Sequence, residues 1–307
     1  MSFREGHYFS LEENKNFTDS ENITHEIQIS TISQKDLSNL WRDTLEKGMH
    51  GICFSMYEKD QKPGDVISAE QVNRRIQIIK PYAKWVRSFS CIEGNEHIPR
   101  IAHQNGMKTL VGAWLGNDLE LNEKEIESLI TLAKEGCVDI AAVGNEVMYR
   151  GDLTEEQLIA YINRVKEALP HIPVGYVDAY YEFSHRPTIT AVCDVILTNC
   201  YPYWEGCPIE YSLNHMKTMF ESAKNAGNGK RVIITETGWP SQGGSLKGAF
   251  ASNESAMNYF IDSQNWSKDN DIELFYFSSF DESWKVGPEG EVGAYWGLWD
   301  KNEDLKF

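Results

Sequence analysis

Hydrophobic and polar positions follow two rhythms along this chain. Short apolar runs without polar alternation recur at GICFSM (51–56), KWVRSFS (84–90), KTLVGAW (108–114), VDIAAVG (138–144), PVGYV (173–177), DVILTN (194–199), RVIITE (231–236) and ELFYFSS (273–279). Between them lie stretches of helical period. Val72, Ile76 and Ile79 share one face, as do Ile126, Leu129, Ile130 and Ala133, and again Leu158, Ile162, Val165 and Leu169. Ser68 with Gln71, and Thr154 with Gln157, fit helix-opening capping pairs, and Pro81 and Pro170 stand just beyond predicted helix ends. From Ser55 to Tyr276 the runs recur every 32 residues or so on average, about the length of one strand–helix–strand step. Strands that are apolar throughout are buried on both faces, as in a parallel sheet. Eight such units over about 250 residues predict an α/β fold, a single (β/α)8 TIM barrel. The competing open, doubly wound sheet calls for a glycine-rich turn after a strand; no G-x-G-x-x-G is present.

Residues 1–48 lack either rhythm at first: 1–40 are polar and acidic, and the texture changes near Leu40. The expected organisation is therefore a polar arm or barrel lead-in over 1–48 and a catalytic barrel over 49–307.

Composition narrows the function. The 307 residues are 41% hydrophobic and 12% aromatic, a globular mixture. With 29 basic against 46 acidic residues the net charge is −17, which repels nucleic acid, and no apolar run approaches the roughly 20 residues of a membrane span. The six cysteines form no C-x-x-C pair, and four lie in or beside strand-like runs, so reduced, buried thiols are expected. Together with the lack of an apolar leader core in the first residues, this favours a cytoplasmic location, with a trimmed secreted or periplasmic protein as the alternative. The eight histidines show no H-x-H or H-E-x-x-H spacing, and no G-x-S-x-G elbow occurs. Neither a metal nor a cofactor is expected.

In a parallel barrel, chemistry sits where strands end. The fourth run ends at Asn145 and Glu146, the seventh at Glu236 with Trp239 beyond, the sixth leads into Tyr201, Tyr203 and Trp204, and the eighth into Asp281, Glu282, Trp284 and Lys285. A glutamate directly after VIIT must be solvated, paired or used; an ion pair with Arg87 or Lys285 is the plain alternative. Two glutamates at one rim are the minimum machinery for glycoside hydrolysis. Aromatics near the same strand ends (Trp114, Tyr149, Tyr180, Tyr181, Tyr201, Tyr203, Trp204, Trp239, Trp284) suit the flat C–H faces of sugars.

These residues resemble glycoside hydrolase family 17, the β-1,3-glucanase and β-1,3-glucanosyltransferase family. VIITETGWPSQGG is similar to its active-site signature and VGNE to its acid/base segment. GICFSM, WVRSFS, YPYW, FDESWK and VGAYWGLWD extend the likeness over 48–300. The short loops are closer to the compact bacterial and fungal branch. The resemblance implies Glu146 as general acid/base and Glu236 as nucleophile. It implies Asn145 on the sugar 2-hydroxyl, Tyr201 orienting Glu236, Arg87 beneath the nucleophile, and Phe54 and Trp239 shaping the subsite floor; Tyr203 and Trp284, among the strand-end aromatics, are expected beside the substrate. Glu282 and Lys285 would support the acid's hydrogen-bond network. Phe54 and Phe89 stand where many members carry tyrosine. The implied activity is retaining hydrolysis of β-1,3-glucan of the laminarin type. The alternatives are glucanosyl transfer, including a branching one, and a glucan-binding barrel without catalysis. The expected partner is a β-glucan, met by a monomer.

Overall fold

The strands are buried on both faces rather than alternating buried and exposed positions, and a closed barrel covers both faces without leaving an edge. The computed structural model describes residues 7–10 and 32–307. Its eight parallel strands are β1 (Met49–Cys53), β2 (Ala83–Ser88), β3 (Lys108–Ala113), β4 (Ile140–Asn145), β5 (Val174–Ala179), β6 (Val195–Asn199), β7 (Arg231–Thr237) and β8 (Leu274–Tyr276). They pair in sequence order, and β8 pairs with β1 to close the ring. The chain is thus a (β/α)8 barrel. Its helices turn their apolar stripes inward: Val72, Ile76, Ile79, Leu158, Ile162 and Val165 are fully buried. Ser68 caps its helix through the Gln71 amide, and Thr154 with Gln157 forms a complete capping box. Among the described residues no helix is long and apolar enough to cross a membrane. All six cysteines are free thiols, and five are buried.

Of the polar arm or barrel lead-in expected over 1–48, the last part is a helix packed on the barrel. Gln34–Glu46 is a helix capped by Ser33, and Leu37, Trp41 and Leu45 form its buried stripe. The Trp41 ring packs on Phe260 of helix Asn253–Asp269 at 5.4 Å and on Phe307 at 5.2 Å. After β8 the chain makes only short turns (Ser283–Lys285, Val286–Glu289, Glu291–Ala294), so the long helix missing there is supplied from before β1. Three apolar residues in a polar stretch carry this helix, because burying each contributes about 1.5–3 kcal/mol.

Residues 1–6 and 11–31 of the arm lie outside the described residues. Residues 7–10 lie at the end of the barrel where the strands finish. His7 stacks on Tyr181 at 3.8 Å, the Phe9 amide donates to the Glu205 carbonyl at 2.8 Å, and Lys247 sits over the Tyr8 ring. Their partners follow β5, β6 and β7.

Two strands depart from regular pairing, and both carry a glutamate. Along β4 and β5 the pairs run Ala142 to Gly175 and then Asn145 to Val177, so β4 holds one extra residue. Gly144 takes it up with φ +83°, where an added Cβ would lie 2.8 Å from the Val147 side chain. Along β6 and β7 the pairs run Thr198 to Ile234 and then Asn199 to Glu236, which leaves Thr235 as the extra residue of β7. The pairing of β7 with β8 shifts at the same place. A bulge re-aims the side chains that follow it.

Candidate active site

Beyond the Gly144 bulge, Asn145 ends β4 with its side chain buried, and Glu146 follows with φ +51°. A left-handed glutamate costs about 1–3 kcal/mol and persists only where its surroundings impose it. Here they do. The Glu146 amide donates to the Val177 carbonyl at 2.8 Å, and a short helix, Val147–Arg150, begins at once. The Tyr176 hydroxyl accepts from the Met148 amide at 2.9 Å and donates to the Asp178 carboxyl group, which also accepts from the Ala179 amide. Arg150 reaches back to the Asn145 carbonyl and to that of Leu115. These bonds hold the turn in which the Glu146 side chain is displayed.

Asp178 is fully buried, and burial, with the charge of Glu146 adding to it, pushes its pKa up to about 8. The neutral form is thus favoured in the folded state. The stability this raises is complete below the ordinary carboxyl value of 3.8 and is lost as pH climbs towards about 8. Asp178→Asn is expected to flatten the fall in melting temperature between pH 5 and pH 8. An unchanged slope would contradict the burial argument.

Glu236 is gripped by three donors. Arg87 Nη1 lies 2.7 Å from Oε1, Asn199 Nδ2 donates to the same oxygen at 3.0 Å, and the Tyr201 hydroxyl donates to Oε2 at 2.8 Å. Arg87 comes from β2 and lies beneath, 2% exposed. Its second nitrogen donates to Asn145 Oδ1 at 2.7 Å, and its guanidinium stacks over Phe89 at 4.2 Å. Burial opposes the charge on Arg87, and Glu236 with Cys53 outweighs it, raising its pKa. Burial, then Glu236, raises the Tyr201 phenol well above its ordinary value, so it remains a donor.

The two glutamates face each other through one side chain. Asn199 Nδ2 donates to Glu146 Oε1 at 2.9 Å and to Glu236 Oε1 at 3.0 Å. Two oxygens bonded to one nitrogen at those lengths are separated by at most their sum, about 5.9 Å. The ion pair of Glu236 with Arg87 and the shared gap with Glu146 therefore coexist. Glu146 is half-buried and Glu236 buried, so the gap opens to solvent on the Glu146 side.

The loop after β8 brings a second charged group. Lys285 Nζ lies 2.7 Å from Glu282 Oε2 and 4.2 Å over the Phe277 ring, and the Trp284 indole donates to Glu282 Oε1 at 3.1 Å. Burial works against the Lys285 charge; Glu282 and Glu289, with Glu236 behind them, outweigh it and raise its pKa.

The structure places three of the expected substrate-side aromatics inside the barrel wall. Tyr203 and Trp239 are each 1% exposed, with polar groups already used: the Tyr203 hydroxyl donates to the Gly244 carbonyl and the Trp239 indole to that of Phe250. Both lie under the Ser245–Leu246 and Ala249–Phe250 hairpin, packed on each other at 5.3 Å, and offer a sugar almost no surface. Phe54 is likewise buried, edge-on to Phe280 at 6.4 Å. These three build the wall rather than its face. Trp114, Tyr149, Tyr180, Trp204 and Trp284 keep accessible rings at the same end of the barrel, Trp114 with Arg150 over it at 4.5 Å.

Sequence reasoning missed Asn199, Thr235, Tyr176 and Asp178. Asn199 was within reach of the strand-end rule, since it closes DVILTN as Glu236 closes RVIITE. Among the described residues no group of three or more His, Cys, Asp or Glu side chains is arranged to hold a metal ion.

Two carboxyl groups bridged by one amide at the C-terminal end of a parallel barrel fit glycoside hydrolysis. Residues 51–297 match the model of the BtgE/BtgC glycoside hydrolase domain. A glucan 1,3-beta-glucosidase of Arthroderma benhamiae is 28% identical over 254 residues, spanning 75% of this chain and 80% of that one. A Saccharomyces cerevisiae glucan 1,3-beta-glucosidase is 24% identical over 83% of this chain and 90% of its own length. Among solved structures, the family 17 beta-1,3-glucanosyltransferase of Rhizomucor miehei superposes with a TM-score of 0.76 at 30% identity, covering 85% of this chain and 96% of that one; an active-site mutant of it was solved with laminaritriose. The chain belongs to glycoside hydrolase family 17.

Proposed function

We propose that this glycoside hydrolase cleaves β-1,3-glucan with retention, with Glu236 as nucleophile and Glu146 as acid/base. The observation that carries the reading is the Asn199 bridge. It holds the Oε1 atoms of the two carboxyl groups within about 5.9 Å of each other, which is compatible with the roughly 5–5.5 Å carboxyl separation of retaining enzymes. The linkage rests on the activities of the relatives, glucan 1,3-beta-glucosidases and a beta-1,3-glucanosyltransferase.

Glu236, aligned by Arg87 and Tyr201, attacks the anomeric carbon as Glu146 passes its proton to the departing glycosidic oxygen. A glycosyl ester forms as the C–O bond breaks. Glu146, now a carboxylate, takes a proton from the incoming O–H group. That oxygen attacks the anomeric carbon, the ester breaks, and both glutamates regain their starting states. Asn145, held by Arg87 with its carbonyl oxygen occupied, presents its amide N–H groups for the sugar 2-hydroxyl.

Water and a second sugar compete for the ester. The accessible rings of Trp204 and Trp284 and the likeness to a glucanosyltransferase favour transfer as the second reading. Laminaripentaose is expected to yield shorter β-1,3-oligosaccharides. Products longer than the substrate would establish transfer, and intact substrate despite binding would overturn both readings.

A further inference from the structure

We infer that Asn199 is a positioning residue serving both catalytic glutamates in turn, and that the Thr235 hydroxyl sets which way its amide faces. The inference rests on the roles given above to Glu146 and Glu236.

Asn199 is fully buried at the end of β6. A primary amide has two N–H donors, and both are used, one on each glutamate. Its carbonyl oxygen accepts from Thr235 Oγ1 at 2.9 Å, and Thr235 is itself fully buried. Turned over, the amide would set its oxygen against two carboxyl groups and lose the hydroxyl it now accepts from. The β7 bulge makes the arrangement reachable. On a regular strand consecutive side chains point to opposite faces, whereas Thr235 and Glu236 both reach Asn199. The Thr235 carbonyl meanwhile accepts from Arg87 at 3.3 Å, so one residue braces the supports of both glutamates.

The bridge matters because the negative charge changes places during double displacement. It starts on Glu236; in the glycosyl-enzyme Glu236 is an ester and the charge is on Glu146. A hydrogen bond to an ionised acceptor is about twice as strong as one to a neutral acceptor. In each half-reaction the carboxyl gaining charge is therefore gripped harder as the other is released, while the amide stays in place. The donor is already aimed where charge develops, and it acts on both steps.

The test compares Asn199→Ala, Thr235→Val and Thr235→Ser on laminaripentaose and on an aryl β-laminarioside with a dinitrophenolate leaving group, with folding checked by circular dichroism. Asn199→Ala is expected to lower kcat about 100-fold on both substrates while KM changes by less than about threefold. Thr235→Val should lose about tenfold, and Thr235→Ser, which keeps the hydroxyl, should stay within about twofold of the parent. If Asn199→Ala does not fold, the Thr235 pair decides. A folded Asn199→Ala with parental kcat, a loss confined to KM, or Thr235→Ser falling as far as Thr235→Val would overturn the inference. Glu236→Ala, run in parallel, separates the two failures. An active Glu236→Ala removes the assignment of the glutamates, whereas an inactive one beside an active Asn199→Ala removes the bridge alone.

Discussion

Glu236→Ala is expected to lose at least about 10⁴-fold in turnover, as enzymes do on losing a nucleophile, and to regain activity with azide. Azide fits the space the carboxylate leaves, attacks the anomeric carbon from that side, and displaces the leaving group that Glu146 still protonates. The product of this single inversion is an α-glycosyl azide. The variant also leaves Arg87 buried without its partner, and breaking a buried pair commonly costs about 3–5 kcal/mol, so Glu236→Gln is the companion that keeps the shape. Its amide oxygen can still accept from Tyr201. A folded variant that retains more than about one part in a hundred of parental turnover, or yields no α-azide, contradicts the assignment.

Glu146→Ala should divide its effect by leaving group. On laminaripentaose the departing hydroxyl needs a proton, and kcat/KM is expected to fall about 10²–10⁴-fold, the usual span for losing a general acid. A dinitrophenolate departs without protonation, so formation of the glycosyl-enzyme should stay fast and appear as a burst. The ester then waits for a base. Azide needs none, and its attack on the glycosyl-enzyme gives a β-glycosyl azide, the opposite anomer to that from Glu236→Ala. Equal losses on both substrates, or an α-azide from Glu146→Ala, would exchange or remove the two roles.

The barrel was legible because its signal is burial. Each strand was marked by an unbroken apolar run, and observed boundaries such as Val174–Ala179 and Arg231–Thr237 lie within two residues of the runs. The helix over Gln34–Glu46 was passed over although Leu37, Leu40, Trp41 and Leu45 fall at helical spacing, because the sequence before them is polar and the partners that bury them, Phe260 and Phe307, lie far along the chain. At the site, the positions of Glu146 and Glu236 followed from strand ends alone. What held them there did not. The Thr235 bulge is a mismatch between two strands, and neither strand shows it by itself. Tyr203 and Trp239 looked like sugar platforms because the sequence places them at the rim; the hairpin that folds over them buries them. Rim position was readable, and which side of the rim faces the cleft was a property of the tertiary packing.

The shared gap and the covalent route converge on one measurement. The protein is incubated with a 2-deoxy-2-fluoro-β-laminaribiosyl donor carrying a dinitrophenolate leaving group; the fluorine slows both steps, the leaving group rescues the first, and the ester accumulates. Mass spectrometry of the digested protein is expected to find one fluorinated disaccharide, on Glu236. No covalent adduct during turnover, or an adduct on Glu146 or any other residue, would contradict the account.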